Sequence, residues 1–163
     1  MKDKLKRYID SYMKKRTFCF QKCASVGNRY KDESACMEAA SISDYIDNNK
    51  NENKFQKLLF NHIDRRNLTD SDVYNKVNID RRLFSKIRSD SNYHPSKETV
   101  ILLAISLELN EDELEDLLLS ASYSLPKNNY YDLIIRFCFK ERIFNIFSIN
   151  EYLEEYKCKL LPC

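Results

Sequence analysis

The chain has 163 residues, of which 43% are hydrophobic, enough for one compact globular unit with appended elements. One glycine, three prolines and no tryptophan leave few of the residues that β-turns require, so the composition predicts an all-α protein. The net charge of +2 does not by itself indicate nucleic acid, and no apolar run approaches the ~20 residues that cross a bilayer. We expect a cytoplasmic protein with no membrane span, whose six cysteines are reduced thiols.

Residues 1–53 predict an N-terminal helix followed by a polar, partly irregular arm. Within residues 1–16, one helical stripe of apolar side chains comprises Leu5, Tyr8, Ile9, Tyr12 and Met13. The stripe is interpreted as docking the helix on its own domain. Lysines surround the stripe, so the alternative is that the helix lies on nucleic acid or an acidic surface. Beyond it, one helix is expected over residues 34–46. No histidine accompanies the three cysteines of the arm, so no metal site is predicted at Cys19, Cys23 and Cys36.

Two short helical patterns separated by a tight break lie in residues 68–88. Thr69 can cap the first helix, and Asp72 closes a capping box three residues later. Asn78 interrupts the pattern, and Asp80 can cap a second helix. The buried side of that second helix is expected to comprise Leu83, Phe84 and Ile87. This arrangement predicts a helix-turn-helix.

The outer side of the second predicted helix is basic. Residues 78–97 contain five basic and two acidic residues, whereas residues 108–116 hold six acids and no base. This charge asymmetry would orient the protein toward a polyanion. Basic and hydroxyl side chains on one helix face suit phosphates and base edges. The candidate DNA contacts are Arg81, Arg82, Ser85, Lys86, Arg88 and, at the start of a later helix, Lys97.

Helices are also predicted on both sides of this stretch. Residues 55–67 have an apolar stripe that includes His62, which we interpret as a hydrogen-bonded core histidine. Ser96 can cap a mostly apolar helix. Asn110, with Glu113 three residues later, can cap the next helix, whose acids suit the helix dipole.

Two more helices are expected near the end of the chain. The first is strongly apolar and covers residues 130–141, and Ser148 with Glu151 forms a capping box for the second. Both are rich in aromatic residues, which favour a core or a self-association face. We interpret most of them as core and expect a homodimer to form through these helices.

Residues 55–119 resemble the five-helix DNA-binding domain of phage repressors of the lambda and Cro type. The likeness runs through LTDSDVYNKVNIDRRLFSKI and PSKETVILLAISLELNEDELEDLL. The whole chain is more loosely similar to bacterial helix-turn-helix proteins of unassigned role. The resemblance implies a helix-turn-helix core over residues 54–120, preceded by the arm of residues 1–53. A helical extension over residues 121–163 is expected to pack on that core.

Three positions depart from the repressor pattern. Repressors of this type usually have glutamine at the position of Asp70, where it bonds a phosphate and braces the recognition helix, and a carboxylate would repel that phosphate. They prefer alanine at the position of Tyr74, where the two motif helices cross, so here the helices must open or the ring must swing out. Asn78 replaces the glycine of the turn, and asparagine tolerates left-handed geometry.

The resemblance implies a transcriptional regulator that binds DNA as a dimer through a basic recognition helix. The alternative is an adaptor or inhibitor in a bacterial stress or phage-defence pathway, which keeps the fold and meets an acidic protein instead of DNA. An enzyme is not expected, because no phosphate-cradling loop, catalytic triad or metal quartet appears in the sequence. No cofactor is predicted.

Overall fold

The computed structural model describes residues 1–19 and 54–162, which form eight α-helices and no strand. In chain order the helices are α1 (Lys2–Cys19), α2 (Lys54–Arg65), α3 (Asp70–Lys76), α4 (Arg81–Ser89), α5 (Lys97–Ser106), α6 (Glu111–Ser120), α7 (Tyr130–Lys140) and α8 (Ile146–Glu155). The all-α prediction is confirmed for these residues. None of the described helices is both long and apolar enough to cross a membrane. The helix predicted over residues 34–46 lies outside the described residues, and so do Cys23 and Cys36.

Helix α5 is the centre of the fold. Every residue from Val100 to Leu107 is buried, including Ser106. A helix that is apolar on all sides requires neighbours on all sides, and α3 and α6 pack directly on it. Ser96 caps α5 as predicted, because its Oγ accepts a hydrogen bond from the N–H of Thr99 at 3.2 Å.

Helix α1 packs against α7, on the body of the protein. Leu5 and Ile9 of its predicted stripe are buried, and the ring centroid of Tyr8 lies 5.5 Å from that of Phe137. These residues belong to one hydrophobic cluster that extends from α1 to the C-terminal segment. The apolar side of α1 is therefore covered by this chain itself, in agreement with the docked interpretation.

Arg136 of α7 ties the C-terminal helices to α6. Its side chain is only 9% exposed, and its Nε donates to the carbonyl of Leu125 at 2.8 Å. Its Nη1 donates to Glu111 at 2.9 Å and also forms an ion pair with Glu115. The sequence pattern explains the acids of α6 by capping and the helix dipole. In the structure two of them also neutralise a buried guanidinium.

The predicted cap of α8 is wrong. The helix begins three residues earlier than a cap at Ser148 would place it. Its N-cap is Asn145, whose side chain accepts a hydrogen bond from the N–H of Ser148 at 3.2 Å. Ser148 therefore lies in the first turn and forms no capping box with Glu151. Asparagine caps a helix as well as serine does. Capping at Asn145 makes α8 three residues longer than capping at Ser148 would.

Six of the described helices end in the same left-handed turn, and none of these turns contains glycine. The left-handed residues, with φ between 50° and 58°, are Asn67, Asn78, Glu108, Ser122, Arg142 and Lys157. In each turn the next N–H bonds the carbonyl five residues back, as Leu109 does to Ala104 at 3.1 Å. A residue with a Cβ costs about 1–2 kcal/mol in this conformation, so these ends are strained.

Glycine at one of these turns should stabilise the protein. Arg142→Gly is expected to raise the free energy of unfolding by about 0.5–1 kcal/mol, since relief of the left-handed strain exceeds the added entropy of the unfolded chain. Urea denaturation followed by circular dichroism measures the change. Glu154→Gly, at an exposed position inside α8, is the matched control and should lower stability. A loss of stability in both variants would contradict the strain.

His62 is buried between α2 and α6, which confirms its interpretation as a core residue. Its side chain is 5% exposed, and its Nδ1 lies 3.2 Å from Nη1 of Arg66 and 3.8 Å from Oε1 of Glu113. Because the guanidinium can only donate, Nδ1 accepts and the ring proton resides on Nε2. Nε2 is buried without a hydrogen-bond partner among the described atoms. Burial lowers the pKa of His62 and outweighs the opposing effect of Glu113.

The lowered pKa of His62 makes stability depend on pH. The unfolded chain takes up a proton near its ordinary pKa of about 6.5, whereas the folded chain does so only at lower pH, so stability is lost as pH falls below that value. We expect the free energy of unfolding to fall between about pH 7.5 and about pH 5.5. The loss should be smaller in His62→Gln and unchanged in His94→Gln, whose wild-type side chain is exposed. An equal loss in His62→Gln would exclude His62 as its source.

Candidate nucleic-acid interface

Helices α3 and α4 form a short pair joined by a tight turn. The predicted capping box of α3 is present: Asp72 N–H donates to Thr69 Oγ1 at 3.3 Å, and Thr69 N–H donates to Asp72 Oδ2 at 2.8 Å. Asn78 adopts the expected left-handed conformation, with φ of 53°. Asp80 caps α4 by accepting a backbone N–H of its first turn at 2.6 Å. The local hydrogen bonding predicted for this stretch is therefore confirmed.

Helix α4 is fixed against the body of the protein along its inner side and at its C-terminal end. Phe84 and Ile87 are buried. Gln56 of α2 donates from Nε2 to the carbonyl of Ile87 at 2.5 Å and to that of Asp90 at 2.9 Å. These bonds satisfy carbonyls that a helix end leaves without a partner. Sequence reasoning missed Gln56, because its acceptors are backbone groups more than 30 residues away.

The outer side of α4 carries an open surface, the basic face, which comprises Arg81, Arg82, Ser85, Lys86 and Ser89. All five residues are exposed. Neither arginine forms an ion pair with an acid in the part of the chain that the structure describes. Lys86 lies with its Nζ 4.9 Å from the ring centroid of Tyr93. Four of the six predicted contacts are thus brought together. Ser89 was not predicted, although its spacing of four from Ser85 places it on the same side.

The other two predicted contacts are held by ion pairs. Nη2 of Arg88 donates to Oδ1 of Asp70 at 2.5 Å, and its guanidinium lies 4.2 Å from the ring centroid of Phe60. Lys97 donates to Asp132 of α7 at 2.6 Å, and this carboxylate is 3% exposed. Withdrawing Lys97 would leave a buried charge without its partner. In this structure Arg88 and Lys97 hold helices together.

The structure also places the two unusual residues of the pair. Asp70 braces α4 through Arg88, which offsets the negative charge of its carboxylate. The ring of Tyr74 is half-buried, with its centroid 5.8 Å from that of Phe84. Between α3 and α4 lies an inter-helix groove of about 350 Å³, whose walls include Tyr74, Arg81, Ser85 and Arg88. Tyr74 is thus accommodated on the side of an open space between the helices.

Cys138 and Cys158 are neutral thiols at ordinary pH. Cys138 is buried, and burial raises its pKa to about 12. Burial also raises the pKa of the half-buried Cys158. Metal binding and nucleophilic attack both use the thiolate. Within the described residues, no group of three or more His, Cys, Asp or Glu side chains is placed to hold a metal ion.

Comparison with known proteins adds no assignment to this geometry. Neither protein-family models nor curated proteins nor solved structures give a match to this chain. The functional proposals therefore rest on the basic face, the ion pairs around it and the inter-helix groove.

Loss of the Gln56 hydrogen bonds should destabilise the protein more than loss of the Asp70 ion pair. Gln56→Leu is expected to lower the free energy of unfolding by about 1–2 kcal/mol, because carbonyls at the end of α4 lose their donor. Asp70 and Arg88 are 37% and 51% exposed, so Asp70→Asn should cost less than about 1 kcal/mol. Urea denaturation of both variants tests the order. A larger loss in Asp70→Asn would show that the ion pair is what holds α4.

Proposed function

We propose that this protein is a DNA-binding regulator that reads duplex DNA through the basic face of α4. The observation that carries the proposal is the grouping of Arg81, Arg82, Ser85 and Lys86 on the exposed side of a helix whose inner side is buried. A helix held in this way can enter the major groove without ordering itself first. Arginine is well suited to pair with O6 and N7 of guanine there.

In this proposal, α2 to α6 form the helix-turn-helix core of the lambda-repressor type, over residues 54–120. Helix α3 would cross the DNA backbone, and α4 would be the recognition helix. Residues 1–53 form the arm and residues 121–163 the extension, and the protein acts in the bacterial cytoplasm. The short lengths of α3 and α4, their caps and the left-handed Asn78 support this assignment.

The residues of the basic face take different roles in the proposed complex. Arg81 and Arg82 lie in the first turn of α4, the part of a recognition helix that reaches base edges. Lys86 lies one turn later and would contact a phosphate as a point charge. Arg88 and Lys97, which the sequence suggested as DNA contacts, would position α4 and α5 through their ion pairs instead.

A dimer is part of the proposal. Three cations without ion pairs among the described residues, Arg81, Arg82 and Lys86, give one protomer few phosphate contacts. Two copies would bind half-sites about 34 Å apart, the length of one DNA turn. Exposed apolar side chains of the C-terminal part, Phe147 at 75% and Leu160 at 46%, support contact between copies through this region.

The affinity for DNA should depend on salt according to the number of free cations. With three phosphates neutralised per protomer, log K is expected to fall with log salt at a slope of about −2.7 per protomer. Fluorescence polarisation of a labelled duplex, titrated at several salt concentrations, measures this slope. Arg82→Gln should weaken binding and reduce the slope by about 0.9 per protomer, because one counterion fewer is released.

Arg142→Gln is the matched control for that experiment. It removes an exposed arginine that lies after α7, outside the basic face, and should leave both the affinity and the slope unchanged. Equal effects of Arg82→Gln and Arg142→Gln would mean that binding is a general attraction to positive charge. No binding at low salt would reject the proposed function.

One observation favours the alternative, an adaptor or inhibitor that binds an acidic protein. The Asp70 carboxylate is 37% exposed at the edge of the helix pair, where it opposes an approaching phosphate. A pull-down after nuclease digestion separates the two functions. A protein partner that survives digestion and is lost in the double variant Arg81→Glu, Arg82→Glu would support the adaptor.

A further inference from the structure

The inter-helix groove is a second feature of the helix pair, and it adjoins the basic face. Arg81 and Ser85 line both. Its volume of about 350 Å³ lies at the lower end of the about 300–1,000 Å³ typical of ligand pockets. The volume is sufficient for a single small molecule, and anything bound in the groove would compete with or extend the contacts of the basic face.

The groove combines aromatic, hydroxyl and cationic groups with one carboxylate, that of Asp70. Tyr74 lines it as a half-buried ring next to the buried ring of Phe84. Arg88 lines another part, but Asp70 neutralises its charge at 2.5 Å. The net positive charge of the groove therefore comes from Arg81, which has no ion pair with a described acid. A ligand that joins a planar ring to one anionic group matches this set.

We propose that the inter-helix groove binds a single nucleotide, with the base against Tyr74 and the phosphate at Arg81. Bases of every kind stack on aromatic side chains, and a guanidinium binds phosphate through paired hydrogen bonds. The exposed hydroxyl of Ser85 lies one turn beyond Arg81, between the groove and the basic face. The nucleotide is either free, and then competes with duplex DNA for Arg81, or it is an unpaired nucleotide of the bound strand.

The first experiment contains no DNA. Adenosine monophosphate is titrated into the full chain by isothermal calorimetry, and a Kd of about 0.1–1 mM is expected for so few contacts. Tyr74→Leu and Arg81→Gln should each weaken binding at least about tenfold, because one removes the stacking ring and the other the phosphate ligand. Arg142→Gln is the matched control and should bind as the wild type does, since Arg142 is exposed and lines neither the groove nor the basic face.

Thermal unfolding confirms that each variant is folded. If Tyr74→Leu loses its fold, Arg81→Gln still decides the question, because Arg81 is exposed and its removal leaves the core intact. Failure of adenosine monophosphate to bind at millimolar concentration would overturn the inference. Equal affinity in the wild type and Arg81→Gln, or equal weakening by Arg81→Gln and Arg142→Gln, would overturn it too.

A second experiment identifies the source of the nucleotide. A duplex with one bulged nucleotide is compared with the fully paired duplex, and the paired duplex is also titrated in the presence of adenosine monophosphate. Tighter binding of the bulged duplex that disappears in Tyr74→Leu assigns the groove to an unpaired nucleotide of the strand. Weaker binding of the paired duplex with added nucleotide assigns it to a free effector.

This inference deepens the proposed function and rests on it only in the second experiment. If duplex DNA fails to bind and adenosine monophosphate binds with the expected variant pattern, the proposed function falls and the groove assignment stands. If DNA binds with the expected dependence on Arg82 and the nucleotide does not bind, only the groove assignment falls.

Discussion

The burial of α5 from Val100 onward is the constraint on which the rest of the structure depends. Residues 100–107 have no exposed side, and leaving large apolar side chains in water costs about 1.5–3 kcal/mol each. Helices α3 and α6 therefore pack on α5 directly, and α4 follows α3 after a tight turn. Because Phe84 and Ile87 are committed to the core, the basic side of α4 has to face outward.

Ion pairs divide the basic residues into two groups with different consequences. Arg136 and Lys97 form ion pairs in which one partner is nearly buried, namely Arg136 itself and the Asp132 that Lys97 contacts. An unpaired charge at such a position would be costly. Arg88 is paired at the edge of the helix pair. Arg81 and Arg82 are exposed, without an ion pair to a described acid. The basic face is positive because its own cations have no acidic partner among the described residues, which a charge count along the chain does not reveal.

Much of the local structure was predictable, because its causes lie within a few residues. The caps at Thr69 and Asp80 depend on side chains that bond N–H groups two or three positions away. The cap of α8 was misplaced because Asn145 and Ser148 are equally good caps and local pattern alone does not rank them. The left-handed turns could be anticipated only where asparagine occupies them, at Asn67 and Asn78, since nothing local marks Arg142 as left-handed.

By itself, the sequence determined that residues 1–19 and 54–162 are largely helical, where most of their helices begin, and which side of α4 is apolar. It could do so because helical period and capping act over one turn. Tertiary structure alone decided which cations remain free, because Lys97 meets Asp132 35 positions later and Arg88 meets Asp70 18 positions earlier. It also decided that Tyr74 borders an open groove, because the separation of two helices depends on everything packed behind them.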